Sequence, residues 1–248
     1  MMIKSLSENL LANLIWVVLV ATVTAAMKYN DVYGIYDIVV VLAYIALVII
    51  FLWHKNRYQK VTGICKVDPQ IAKGLQPVDA LKSCKNNFKF LGIAANKFIF
   101  ASEFEAAVRR CNRTGDSIKF LLSSPENPII VQMARRAKRG EDDFRNMINS
   151  TLKKLKMLTE DHGYNIEVRL YRSTGDSGPP SFRLFFVDNT EVLVSYYLMG
   201  EGDGSLMPQL LIKKPVGKSE VNNFYFAFDH YFNSLWAESM PCDFSKIS

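Results

Sequence analysis

Two long apolar stretches lie close together near the start of the chain. They are Leu10–Met27 and Ile35–Trp53, and only a short polar turn, Lys28–Gly34, separates them. About 20 apolar residues cross the ~30 Å hydrocarbon core of a bilayer as a helix, and a spanning segment must satisfy its own backbone hydrogen bonds. The pattern therefore predicts a transmembrane helical hairpin over residues 1–53. A signal peptide ending near Ala21–Ala26, followed by a buried core helix, is the alternative.

Beyond residue 86 the hydrophobic pattern alternates between strands and helices. Short apolar runs predict strands, and apolar residues at helical spacing predict helices. The predicted strands are Phe88–Ile93, Ile118–Leu122, Ile166–Tyr171, Phe182–Val187, Glu191–Tyr197 and Leu206–Lys213. The predicted helices are Glu103–Cys111, a region from Ile129 to Glu160 that breaks at Gly140, and an aromatic helix from Phe224 to Trp236. This alternation predicts an α/β class, with a three-layer α/β/α domain over residues 87–248.

Residues 54–86 read as a basic juxtamembrane connector with short helical pieces at Pro69–Lys73 and Pro77–Cys84. Lys55, Arg57 and Lys60 follow the second apolar stretch, within a chain of 248 residues and net charge +6. Positive residues collect on the cytoplasmic side of a membrane. We therefore predict a membrane protein with two spans and both termini in the cytoplasm. The same basic excess could hold the connector against anionic headgroups.

The cysteines fit a reducing compartment. No two of the four form a CxxC pair, and none has metal-ligand spacing: they are Cys65, Cys84, Cys111 and Cys242. Free thiols are the expected state, and the sequence predicts no metal site and no cofactor.

The segment Ser181–Asp188 resembles the His-x-Lys-x4-Asp motif of the phospholipase D superfamily, which lies on a strand followed by a turn and another strand. Upstream, Phe90–Ala94, Phe104–Glu105 and Ile118–Glu126 resemble the first half of such a domain, and the helix Phe228–Trp236 resembles its end. The similarity is greatest to noncatalytic phospholipase D-like domains attached to bacterial regulators, and it covers roughly residues 86–240.

The motif departs from the family at its nucleophile. Ser181 stands where the family has the histidine that attacks phosphorus, Arg183 stands in the lysine position, and Asp188 alone is retained. A serine hydroxyl is a poor nucleophile without an adjacent base, and no histidine of the chain restores the pattern. We therefore expect a protein without enzymatic activity.

A phosphate could still bind where the family's active site lies. The resemblance implies ligand contacts by Ser181, Arg183 and Asp188, and Arg183 offers a bidentate fork to an anionic oxygen pair. Arg169 and Arg172, together with loops near Gly175, Gly178 and Gly200, could add to it. Each arginine could instead lie at the surface or pair with Asp188 or Glu167.

A compact basic run precedes a group of acidic residues in the predicted helical region. The run comprises Arg135, Arg136, Lys138 and Arg139, and Glu141–Asp143 follows. It could contact nucleic acid or lipid phosphates. Cations at the end of one helix and acids at the start of the next explain the same order of charges, and we favour this second interpretation.

Two spans joined to a compact sensor domain resemble the toxic effectors of bacterial antiphage systems, including cyclic-nucleotide and retron systems. The resemblance implies a domain that senses a nucleotide second messenger or an inhibitory complex of reverse transcriptase with DNA and RNA. Because two helices cannot enclose a pore, the hairpins would form homo-oligomers that permeabilise the lipid bilayer. A membrane-anchored phosphodiesterase, phospholipase or nuclease, and a passive tethered scaffold or regulator, are the alternatives.

Overall fold

The structure is a computed structural model that describes residues 33–136, 138–173, 180–196, 207–215 and 223–247, without the side chains of 33–39, Lys60, Arg136 and Glu141. It divides into two compact units, one up to Tyr58 and one from Gln59 onward. The predicted span Leu10–Met27 lies outside the described residues, as do Gly175, Gly178 and Gly200. The two-span hairpin therefore stays a prediction.

Helix α1, Tyr33–Thr62, contains the whole second apolar stretch and continues beyond it. Within the described residues, α1 is the helix long and apolar enough to cross a membrane, over Val40–Gln59. None of this window is buried, and Val40, Leu47 and Phe51 are each about two-thirds exposed. By length and composition, α1 is a candidate membrane span.

The described part of the second unit contains one mixed sheet of eight strands. In chain order they are β1 Ile64–Asp68, β2 Phe88–Gly92, β3 Ile118–Ser123, β4 Ile166–Tyr171, β5 Phe182–Val187, β6 Glu191–Tyr196, β7 Gln209–Lys213 and β8 Met240–Pro241. Their order in space is β1-β7-β6-β5-β2-β3-β4-β8. Strands β2, β3 and β4 are parallel to one another, and the remaining pairs are antiparallel.

Helices cover both faces of this sheet. One face packs against α2 Pro77–Ser83, α3 Asn96–Ile99, α4 Ser102–Asn112, α5 Ile129–Arg136 and α6 Glu141–Lys156. Its core includes six phenylalanines in mutual ring contact: Phe88, Phe90, Phe98, Phe104, Phe120 and Phe185. We call this the phenylalanine face. The opposite face, which we call the α7 face, packs against α7, Phe224–Glu238.

The strands and helices predicted beyond residue 86 are present with bounds shifted by up to three residues, β8 and α3 were not predicted, and the mixed α/β class is confirmed. The aromatic residues of α7 are core residues, as their spacing indicated, with Tyr225 and Phe232 buried. The helical region breaks at Gly140, where α6 begins, and ends in a π-helical turn, Met157–Asp161.

Residues 54–86 do more than connect. Strand β1 pairs with β7 at one end of the sheet, and α2 contributes Ala80 and Leu81 to the core of the phenylalanine face. The α/β unit thus includes residues well before 87. Helix α2 is too short for its apolar spacing to show which residues are buried, and β1 is too polar to look like a buried strand. Their burial follows only from the assembled sheet.

Candidate functional site

The edge of the sheet at which parallel strands β2, β3 and β4 end is the expected place for a ligand in an α/β domain. We call it the carboxyl edge. Strand β5 is antiparallel to β2, so β5 begins there, and it brings Ser181 and Arg183 to this edge. The edge opposite, where β2, β3 and β4 begin, we call the amino edge.

Arg183 is half-buried on the phenylalanine face of β5. Its guanidinium Nη2 lies 3.4 Å from the Oγ atom of Ser195, which stands directly opposite it on β6. Ser195 is in register with Gln209 on β7, and Gln209 with Asp68 on β1. Four neighbouring strands therefore place one polar row across the sheet, with Ser195, Gln209 and Asp68 all buried.

The far end of this polar row is rich in oxygen acceptors. Asp68 pairs with Lys66 at 2.6 Å, and the Oε1 atom of Gln209 is buried without a hydrogen-bond partner in the described structure. A Cβ atom on Gly74 would lie 2.7 Å from both the Asp68 and the Gln209 side-chain oxygens. The backbone at Gly74 thus passes directly over the two acceptors, and a larger residue there would displace their side chains.

The ends of β3 and β4 add a hydrogen-bonded group of small polar residues. Buried Asn127 donates from Nδ2 to Ser123 Oγ at 3.2 Å and to Ser173 Oγ at 3.4 Å. Its Oδ1 accepts from the backbone amides of Ile129 and Ser173. This group fixes the loops that follow β3 and β4 and leaves a polar rim at the carboxyl edge.

Ser181 is exposed, just before β5. Burial raises the pKa of the Tyr231 hydroxyl on α7, and a hydrogen bond to the Ser181 backbone partly opposes that rise. Tyr231 thus positions the backbone of Ser181. The Ser181 hydroxyl is left at the carboxyl edge. Serine and arginine of the motif are therefore brought together, as the resemblance implies.

Asp188 does not join them. It lies in the turn after β5, at the amino edge, one whole strand away from Ser181. Its carboxylate accepts hydrogen bonds from the backbone amides of Lys85, Asn86 and Asn87, at 3.0, 2.7 and 3.3 Å. The expectation that Asp188 contacts the same ligand as Arg183 is wrong for this geometry, because the carboxylate holds the turn between α2 and β2.

Arg169 lies on the other face of the sheet from Arg183. Its guanidinium donates to the carbonyl oxygens of Trp236 and Ser239 and lies 5.1 Å from the centre of the Trp236 ring. It therefore holds the end of α7, and a ligand contact shared with Arg183 is not supported. Residues alternate between faces along a strand, which is why Arg169 points away from the polar row.

Arg172 follows β4 at the carboxyl edge, in agreement with its predicted place near the site. It pairs with Glu126 at 2.6 Å, and both side chains are exposed. An exposed pair of this kind contributes little stability, so Arg172 is able to exchange Glu126 for another anion. Arg172 and Arg183 are therefore the two predicted arginines that the structure brings to one edge.

The basic run has the arrangement expected of a helix junction. Arg135 belongs to α5, the backbone amides of Lys138 and Arg139 bond to Arg135 and Ala134 at the end of that helix, and Gly140 precedes α6. Lys138 and Arg139 are exposed, and Arg139 lies 5.9 Å from the Phe144 ring. The side chain of Arg136 lies outside the described structure. Nucleic acid or partner contact by these residues stays a prediction.

No described hydrogen bond or ring contact joins a histidine to Ser181, Arg183 or Ser195. His162 follows the π-helical turn before β4, at the amino edge, and His230 is exposed on α7. His54 belongs to α1. The described part of the carboxyl edge offers a guanidinium and hydroxyls, which are groups that bind anions.

The cysteines are all free thiols. Cys84 and Cys111 are buried side by side, with their sulfur atoms 3.4 Å apart. The hydrogen bond with Cys111, followed by burial, raises the pKa of Cys84. Burial raises the pKa of Cys242 to about 11. In the described residues, no group of three His, Cys, Asp or Glu side chains could hold a metal ion.

Sequence reasoning missed Ser195, Gln209 and Asp68. Nothing in the local pattern marks them, because Ser195 and Gln209 lie within apolar strands and Asp68 lies in the segment interpreted as a connector. Only the pairing of β1, β7, β6 and β5 places them in one row.

No protein-family model matches the chain, and no curated protein matches its sequence. Several solved structures are similar to it. One is TrmBL2, described as an archaeal chromatin protein with a novel mode of DNA binding: 14% identity, TM-score 0.44, covering 86% of this chain and 73% of that one. Nuc of Salmonella typhimurium, described as a phospholipase D family member, has 11% identity and a TM-score of 0.42, covering 67% and 88%.

Phosphatidylserine synthase of Haemophilus influenzae Rd KW20 has 13% identity and a TM-score of 0.42, covering 69% of this chain and 37% of that longer one. Members of the phospholipase D family are thus among the structures to which the chain is similar.

Proposed function

We propose that the protein is a membrane effector of bacterial antiphage defence whose α/β domain is noncatalytic. In this proposal the domain binds an anionic ligand or partner at the carboxyl edge. The N-terminal apolar segments act on the membrane, and we call them the output. They oligomerise and permeabilise the inner membrane when the ligand or partner binds or is released.

The observation that carries the proposal is the content of the carboxyl edge. Arg183, half-buried beside Ser195, supplies a fixed cation at the place where the superfamily motif binds phosphate. The position of the histidine in the phospholipase D motif is Ser181 in this chain, and a serine hydroxyl is a poor nucleophile without an adjacent base, which supports a binding role. A guanidinium fork binds phosphate oxygens without reacting with them. Such binding suits a sensor for a nucleotide messenger or for a complex of reverse transcriptase with nucleic acid.

The membrane part of the proposal depends on α1. Its window Val40–Gln59 is long and apolar enough to cross a bilayer, and the predicted span Leu10–Met27 would complete a hairpin. Because two helices leave no lumen between them, permeabilisation requires several copies of the chain.

The test is to exchange the output while keeping the domain. Residues 1–53 are replaced by an unrelated two-span anchor of the same topology, and membrane potential is followed with a dye after induced expression in bacteria. We expect the native chain to depolarise the cells and the exchanged chain, at equal abundance in the membrane, to leave the potential unchanged. Depolarisation by the exchanged chain would show that the native apolar segments are not the output.

A further inference from the structure

Three segments of the α/β unit converge where that unit begins. The Asn223 side chain donates from Nδ2 to the carbonyl oxygen of Val61 at 3.3 Å, and its Oδ1 caps α7 by accepting from Tyr225 N at 2.7 Å. The backbone amide of Lys213 donates to the Gly63 carbonyl at 2.8 Å. The end of β7 and the first turn of α7 are thus fixed beside Val61 and Gly63.

Gly63 permits this convergence. Its φ is +78°, and a Cβ atom there would lie 2.6 Å from the Lys213 carbonyl oxygen and 2.8 Å from the Asn223 side chain. Both the positive φ and the close approach require glycine. The approach is therefore a built feature of the α/β unit.

Chain connectivity limits how far this convergence can lie from the bilayer. The second apolar stretch ends at Trp53, and Val61 follows Trp53 by eight residues, or about 12 Å along a helix. The polar headgroup region extends about 5–7 Å on each side of the hydrocarbon core. If Ile35–Trp53 crosses the membrane, Val61 lies at most about 5–7 Å beyond the headgroups, a distance that the long side chains of neighbouring lysines can bridge.

The exposed side chains at this place have the composition that lipid headgroups favour. Val61 is 51% exposed and Phe224 46% exposed. Lys213 and Lys214 are both exposed. The Lys214 ammonium lies 5.6 Å from the centre of the Phe226 ring. Apolar and aromatic groups beside long cationic side chains are typical of surfaces that lie on anionic membranes.

Only one of the two lysines has a described carboxylate partner. The Lys213 ammonium lies 3.9 Å from the Glu191 carboxylate, which is mostly buried. The carboxylate of Asp188 is bound by three backbone amides. Lys214 has its ammonium over aromatic rings and its backbone amide on the Thr190 carbonyl, at 2.7 Å. Among the described residues, Lys214 therefore carries a positive charge without an ion pair, and Lys213 forms a long one.

We propose that Val61, Lys213, Lys214 and Phe224 form a surface that binds anionic lipid headgroups, which we call the anchor-proximal surface. The two lysines extend toward the headgroups and contact lipid phosphates, and Phe224 lies beside them on the same surface. This proposal rests on the membrane anchoring in the proposed function and adds to it a direct contact between the sensor domain and the bilayer.

The test is hydrogen–deuterium exchange on the full chain in nanodiscs of phosphatidylcholine alone or phosphatidylcholine with phosphatidylglycerol. We expect backbone amides in residues 211–215 and 223–227 to exchange more slowly with the anionic lipid. Each lysine should favour the lipid-bound state about fivefold, since a cation near an anionic surface contributes about 1 kcal/mol. The double variant Lys213→Gln/Lys214→Gln should lose this difference.

The matched control removes two exposed lysines elsewhere, as Lys153→Gln/Lys246→Gln, and should keep the difference. Unchanged exchange of β2 and β3 in every variant reports an intact fold. Exchange that is the same in both lipids, or a difference that survives in Lys213→Gln/Lys214→Gln, would overturn the anchor-proximal surface alone. Release of the native chain from bacterial membranes by alkaline carbonate would overturn the anchoring and this proposal together.

Discussion

Replacing Asp188 by alanine is expected to lower the free energy of unfolding of the α/β domain by about 3 kcal/mol. The carboxylate accepts three backbone hydrogen bonds from residues 85–87, a segment distant in sequence. Hydrogen bonds to a charged group contribute about 1.5–3 kcal/mol each, and water replaces part of that where the donors are exposed. Asp188 also has a φ of +50°, a conformation that aspartate tolerates better than alanine.

Two other variants separate these effects. Asp188→Asn keeps a side-chain oxygen and tolerates the positive φ, so a loss of about 1 kcal/mol is expected. Asn189→Gly changes the second turn residue, whose φ is +51°, and should leave stability equal or slightly higher because glycine favours this geometry. Denaturant unfolding of the full chain in detergent measures all three. Equal stability of Asp188→Ala and Asn189→Gly would show that the carboxylate does not hold the α2–β2 turn.

Replacing Asp229 by alanine is expected to cost about 2–3 kcal/mol, because it leaves a mostly buried ammonium without its carboxylate. Lys89 is on β2 with a side chain 13% exposed, and it pairs with Asp229 of α7. The same ammonium lies 4.7 Å from the centre of the Phe186 ring and 5.4 Å from that of Phe232. The pair joins the centre of the sheet to the one described helix that covers the α7 face.

Removal of both charges should lower the stability of the domain far less than removal of one charge. Lys89→Met/Asp229→Leu replaces the pair by apolar side chains of similar volume, a change that is often neutral at buried sites. We expect the double variant to be more stable than Asp229→Ala by at least about 1 kcal/mol. Thermal unfolding of the native chain and the variants measures this coupling. A double variant as unstable as the sum of its single changes would contradict it.

Strands β4 and β5 were predictable because their apolar runs are short and bounded by turn residues. Phe182–Val187 and Ile166–Tyr171 have the bounds that the pattern indicates. The break at Gly140 was also visible, since glycine and a change from basic to acidic residues mark it. These features are local, and local physics determines them.

The site was less predictable because it depends on how distant strands pair. The motif alignment grouped Asp188 with Arg183, yet β5 separates them by about 17 Å at 3.3 Å per residue. Arg169 lies on β4, which is parallel to β3, and Arg183 lies on β5, which is antiparallel to β2. Which face of the sheet each side chain occupies therefore depends on how these strands pair, and the sequence around each arginine does not show it. Asp68 and Gln209 become neighbours of Ser195 through β1 and β7, which no nearby sequence pattern joins.

We propose that the carboxyl edge binds an anion without hydrolysing it while the apolar segments act on the membrane. Purified full-length chain in proteoliposomes allows ion leakage and phosphodiester hydrolysis to be followed in the same preparation. We expect leakage without hydrolysis of lipid, nucleic acid or cyclic nucleotide. Hydrolysis that disappears with Arg183→Gln and Ser181→Ala, in vesicles that remain sealed, would contradict it.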